Sequence, residues 1–231
     1  MRSLVRTLTS SIGMKIVMAV TGAGLVLFLI GHLLGNLEIF AGQEALNAYA
    51  KRLRFLPPLL WVIRIGLATC VVLHIAAAVR LSVLNRAARP VGYARKQNVT
   101  TGWGAGTMLL TGILLFFFVG YHLMHFTFQT TNPEYRQMDD ALGRHDVYRM
   151  VGNAFRRAPV AAVYVVAMLF LGLHVSHGVA SVFQSLGMTH PRYSKTWHRL
   201  GPVFAAIVVV GFVSIPLSVL LGLIKPPDGG W

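Results

Sequence analysis

Long apolar runs alternate with short polar ones along the chain. Five of the runs are long enough to cross a bilayer as helices, near residues 15–37, 59–84, 104–128, 158–185 and 202–224. A spanning helix needs about 20 apolar residues at about 1.5 Å rise each. No segment alternates with period two, which excludes a barrel, so any spanning element must be helical to pair its backbone groups internally. The pattern predicts an all-α membrane protein with five transmembrane helices, a single domain over residues 1–231. The polar connections at 38–58 and 129–157 are long enough for short surface helices. In the first, "EALNAYAKRLRFLPP" has helical spacing and stops at Pro57. Gly22, Gly24, Gly31 and Gly35 line the first span, and the GxxxG of Gly31 and Gly35 predicts a close helix approach.

Composition agrees: 55% of the 231 residues are hydrophobic and 12% are charged, too apolar for a soluble domain. The single cysteine, Cys70, lies in an apolar run and excludes a disulfide framework, and no CxxC provides a thiolate cluster for zinc or iron–sulfur. The first apolar run has no small-residue cleavage site and is long enough to span, so it reads as a helix rather than a signal peptide.

A net charge of +14 raises nucleic acid as a partner, but its distribution argues against one. Arg2, Arg6, Lys15, Arg80, Arg86, Arg89, Arg95, Lys96, Arg192, Lys195 and Arg199 fall on one side of the predicted topology with no acid among them. The seven acids, Glu38, Glu44, Glu134, Asp139, Asp140, Asp146 and Asp228, fall on the other, mixed with the remaining cations. The positive-inside rule then places the N-terminus in the cytoplasm and the C-terminus outside. The basic inner face suits anionic lipid head groups or an acidic soluble partner.

Of nine histidines, six lie within apolar spans: His32, His74, His122, His125, His174 and His177. Ionisable groups at membrane depth are costly and generally face a functional interior. A lone one is most simply a neutral ring hydrogen-bonded to a neighbouring helix; six in four helices ask for more. Counting residues from the helix ends puts His32 and His122 roughly 26–27 Å from the inner surface and His74 and His174 roughly 15 Å from it. These are two layers roughly 12 Å apart, each with two imidazoles from two helices. That arrangement suits axial ligation of a flat metal macrocycle between packed helices. A bare zinc or copper site wants three or four convergent ligands, and the spans hold no interior acid. The predicted cofactor is therefore b-type haem, two per chain; no CxxCH is present for covalent attachment.

His122/His125 and His174/His177 are doublets three residues apart, spanning roughly 60° of helix surface, so either member of each can face the core. "LIGHLLGN" resembles "FVGYHLMH", and "VLHIAAAV" resembles "GLHVSHGV". This weak internal repeat favours the first member of each doublet. His125 and His177 become supporting groups, near a propionate or a quinone, or simply hydrogen-bonded to backbone.

At this point the chain resembles the cytochrome b subunit of succinate:quinone oxidoreductases and quinol:fumarate reductases, of the type with one five-helix anchor and two haems. "SSIGMKIVMAVTG" followed by "FLIGHLLGNLEIF" resembles that family's first helix, and "LNAYAKRLR" its following loop. "HVSHGVASVFQSLG" resembles its pattern of a ligand histidine with glycines four and thirteen residues on: His174, Gly178 and Gly187. The resemblance implies a haem-binding four-helix core plus a fifth helix. In it, His74 and His174 ligate an inner haem, and His32 and His122 an outer one. It implies a flavoprotein and an iron–sulfur subunit docked on the cytoplasmic face of a bacterial inner membrane. Electrons would pass between iron–sulfur protein, haems and a menaquinone or ubiquinone, in succinate oxidation or fumarate reduction, and assembly of the complex into a higher oligomer stays open. Glu38 and Asn36 are outer candidates for the quinone, and Lys15, Ser11 and Arg80 inner ones. Some relatives carry a carboxylate two residues before the helix IV ligand, on a proton route. Here that position is Gly172. Two other readings stay open: a dihaem anchor of a formate dehydrogenase or hydrogenase, and a haem-free protein whose histidines relay protons.

Overall fold

A computed structural model of the chain describes residues 9–55, 57–88, 103–188 and 190–226. Arg2, Arg6, Arg89, Arg95, Lys96 and Asp228 lie outside these, as does the side chain of Lys195. The described residues form seven α-helices in chain order: Ser11–Leu37 (α1), Gln43–Arg54 (α2), Pro57–Ala87 (α3), Trp103–His122 (α4), Val147–Phe155 (α5), Ala158–Ser185 (α6) and Pro191–Leu220 (α7). Five helical segments, on α1, α3, α4, α6 and α7, are long and apolar enough to cross a membrane. The chain is an all-α, multi-pass membrane protein, as its apolar runs require.

The helix ends show where local chemistry adjusts the predicted spans. α1 starts at Ser11 because the Ser10 hydroxyl accepts from Gly13 N–H at 3.1 Å, which caps the helix four residues ahead of the predicted start. α7 begins at Pro191, not 202. His190 caps it by accepting from Arg192 N–H at 3.2 Å, and Pro191 sits at the first helical position, where its missing N–H costs nothing. Pro202 is an interior residue of α7, not its start. The same helix ends at Leu220, short of the predicted 224, with Gly222 at φ +67° in the left-handed conformation that closes helices. The third span is not one continuous helix to 128. α4 ends at His122, and residues Leu123–Thr127 widen into a π turn closed by Phe128 N–H donating to Leu123 C=O at 2.7 Å.

α6 is the central element. In its most apolar stretch 33% of residues are buried by protein, against 6% in α3 and in α4, whose outer faces are left for lipid. α3 packs on α1, α4 on α6, and α1 touches both α6 and α7. Glycines set the close approaches. A Cβ on Gly201 would run into the Ser176 carbonyl of α6, and one on Gly24 would meet Cys70 Sγ of α3 at 3.4 Å. The GxxxG pair does not make the predicted helix–helix seam within the chain: Gly35 receives the Tyr49 ring of α2, and Gly31 faces open space.

One end of the bundle carries a polar cap built from the two longer connections. Arg144 forks onto Glu44, with nitrogens 2.9 and 2.6 Å from its two oxygens, and its Nε donates to Asp140 at 2.7 Å. Fully buried Asn47 donates to Asp140 at 3.1 Å and to Asp146 at 3.0 Å, and Gln43 donates to Asp146 at 2.6 Å. Asp146 also caps α5 by accepting from Arg149 N–H at 3.0 Å. Burial would raise the Asp140 carboxyl, but donors from Arg144, Asn47 and Leu142 outweigh it and hold it at about 2. The Tyr148 hydroxyl donates to the Lys225 carbonyl at 2.8 Å and ties the segment after α7 to the same cap.

Candidate functional site

Four of the six span histidines meet as two cross-helix pairs. His74 of α3 and His174 of α6 have ring centres 6.4 Å apart and planes at 64°. His32 of α1 and His122 of α4 have ring centres 5.8 Å apart and planes at 85°. The pairs are those expected from residue depth, with one member of each from either half of the weak repeat. Among the described residues no three His, Cys, Asp or Glu side chains converge, so two imidazoles are what each position offers.

The first pair is held from two sides in the same way. On α1 the Thr21 hydroxyl lies 3.3 Å from His74 Nδ1 and 2.7 Å from the Val17 carbonyl one turn back. On α4 the Thr111 hydroxyl lies 3.2 Å from His174 Nδ1 and 3.0 Å from the Thr107 carbonyl. Each threonine is followed by a glycine under the ring: a Cβ on Gly22 would meet His74 Cε1 at 3.4 Å, and one on Gly112 would meet His174 Cε1 at 3.4 Å. These four residues are absent from the expected site. The available signal is a Thr-Gly dipeptide eleven residues before His32 and again eleven before His122.

Aromatic rings surround the second pair. Phe28 stacks on His32 with centres 5.2 Å apart, and Phe212 of α7 approaches it at 5.8 Å. The Asn36 amide donates to the His32 carbonyl at 2.7 Å and rests 3.4 Å from the ring nitrogens. Tyr164 of α6 places its hydroxyl 3.4 Å from His122 Nδ1 and 3.0 Å from His125 Nδ1. His125, 1% exposed, stacks on Phe126 within the π turn. It is therefore a packed partner of Tyr164, not a member of a pair.

His177 is half-buried and makes no hydrogen bond to a described residue. Open space lies over Gly178. Gly172 is buried against α7, where a Cβ would stand 2.5 Å from Val209 Cγ2, so its face of α6 is a helix seam. Of the quinone candidates, Ser11, Lys15 and Arg80 are exposed and Glu38 is half-buried in the turn after α1. A cleft of about 550 Å³ at the capped end is lined by Ile39, Phe40, Tyr148 and Lys225 among others; neither Asn36 nor Glu38 lines it.

In comparisons with known proteins, no family model, curated protein or solved structure matches the chain.

Proposed function

We propose that the chain is a dihaem cytochrome b anchor subunit of a succinate:quinone oxidoreductase or quinol:fumarate reductase, with electron transfer as its role. The observation that carries this reading is the pair of two-histidine positions, each joining different helices inside a five-helix membrane bundle. Metal–imidazole bonds of about 2 Å on opposite sides of one ion put ring centres about 6 Å apart, and the observed separations of 6.4 and 5.8 Å fit that requirement.

In this reading His74 and His174 hold the haem nearer the cytoplasm, and His32 and His122 the outer one. Bound haem supplies one-electron redox chemistry; the protein supplies axial ligands, position and a low dielectric. Phe28, Phe212 and Phe118 exclude water around the outer pair. Tyr164 and His125 hold the His122 ring in place. The eleven cations that the sequence gathers on one side of the topology would orient the chain with its N-terminus in the cytoplasm of a bacterial inner membrane, and their charge would attract iron–sulfur and flavoprotein subunits. Dicarboxylate chemistry belongs to those subunits, and quinone is the membrane partner.

The test is a dithionite-reduced minus oxidised spectrum of the purified protein with haem quantified per chain. Two b-type haems are expected. Absence of a b-type α-band overturns the reading, and one haem per chain overturns the two-position assignment.

A further inference from the structure

We infer that Thr21 and Thr111 are positioning residues that fix the ring tautomer of His74 and His174, so that each imidazole presents Nε2 as its lone-pair nitrogen for an axial bond. The inference rests on the haem reading above and adds to it which atoms do the work.

A threonine hydroxyl has a single proton and two acceptor lone pairs, whereas a carbonyl oxygen can only accept. Thr21 Oγ1 lies 2.7 Å from the Val17 carbonyl oxygen, a contact that is attractive only with the hydroxyl proton between the two oxygens. The proton is thus committed to the helix backbone. Thr111 Oγ1 is committed likewise, 3.0 and 3.1 Å from the Thr107 and Met108 carbonyls. What remains at 3.3 Å from His74 Nδ1 and 3.2 Å from His174 Nδ1 is an oxygen lone pair. It can only accept, as can the Met18 and Met108 carbonyls that also approach the two rings, so Nδ1 carries the proton. A neutral imidazole protonated at Nδ1 has its lone pair at Nε2, and a ligating histidine is characteristically held this way by an acceptor on its other nitrogen.

The device occurs twice, on different helices, with the same neighbours. Each hydroxyl comes from the helix that pairs with the histidine's own: α1 for His74 on α3, and α4 for His174 on α6. In each case the following glycine removes the side chain that would otherwise crowd Cε1. A threonine that merely satisfied its own helix would need neither the ring at its free lone pair nor the glycine beneath that ring. An acceptor on Nδ1–H also makes the imidazole a stronger donor, which favours the oxidised iron.

The experiment uses the full chain in its membrane complex and compares Thr21→Val, Thr111→Val, Thr21→Ser and Thr111→Ser with the unsubstituted protein. Valine keeps the shape and removes the acceptor; serine restores it. The readouts are haem content, redox titration of each haem and the low-spin ferric electron paramagnetic resonance signal. Each valine variant should make the inner haem about tenfold easier to reduce, a rise of about 59 mV for one electron, and shift its ferric signal. The outer haem should keep its potential and signal, which shows that the bundle has folded, and the serine variants should return the inner haem to its original values. Valine variants with both haems bound and the inner potential and signal unmoved overturn the inference while leaving the haem reading intact. A shift in valine that serine fails to reverse also overturns it. Absence of b-type haem from the unsubstituted protein overturns the haem reading itself, and this inference with it.

Discussion

A histidine in a lipid-bounded helix needs a partner for each ring nitrogen that is not free to meet water, and the partners differ at the four positions. His74 and His174 have threonine hydroxyls beside the Met18 and Met108 carbonyls, His122 a tyrosine hydroxyl, and His32 the flank of an asparagine amide. If the proposed dihaem reading holds, His74→Ala and His32→Ala should each remove a different haem, read as the loss of distinct midpoint potentials. His177→Ala should remove neither; loss of the inner haem on that change would transfer the ligand role from His174. Gly172 carries a second residue-scale prediction. With Val209 already 2.5 Å from where a Cβ would stand, Gly172→Ala should cost about 1–3 kcal/mol of stability through overpacking. Gly172→Asp should cost more, because it adds an unpaired carboxylate to the α6–α7 seam. Thermal unfolding in detergent measures both, and an unchanged midpoint for Gly172→Asp would show that the seam can open there.

At the scale of elements, the polar cap is the part whose stability depends on pH. Asp140 ionises at about 2 in the folded chain, below the ordinary carboxylate range near 4. Its folded-state value is depressed, so its contribution is fully present above pH of about 4 and is lost as the pH falls toward about 2. Limited proteolysis of the 129–157 connection should rise gently below about 6.5, where His145, held below its ordinary value by burial, must take up a proton, and accelerate below about 4 as Asp140 is neutralised, whereas Asp140→Asn should be cleaved quickly at every pH. Little of this cap was legible in the sequence. Glu44 and Arg144 are 100 residues apart, and nothing local to either marks the other. The spans were legible because the bilayer demands an unbroken apolar run, and the histidine pairing because helix rise converts residue number into depth. The π turn after His122 left no mark in the apolar pattern, and the amphipathic stretch 191–201 hid the start of α7 by being polar while still helical. Thr21 and Thr111 escaped notice because a lone threonine in an apolar helix ordinarily bonds its own backbone; only the juxtaposed ring distinguishes these two.

For the molecule as a whole, the repeat of Thr-Gly and histidine on α1 and α4 has a consequence for how the two histidine pairs are related. Eleven residues separate Thr21 from His32, and Thr111 from His122. At about 100° per residue that is three turns with a remainder of about 20°, so both functional side chains of each helix point the same way, about 16 Å apart along the axis. Each helix is thus a rigid ruler with one mark at either pair, and the two rulers have equal length. Deleting a single residue between Gly22 and Gly31 would shorten one ruler by about 1.5 Å and turn its outer mark by about 100°. Such a deletion should abolish one pair and spare the other, which under the proposed dihaem reading is seen as one haem per chain in place of two. Retention of both would show that the spacing is not what holds the pairs in phase.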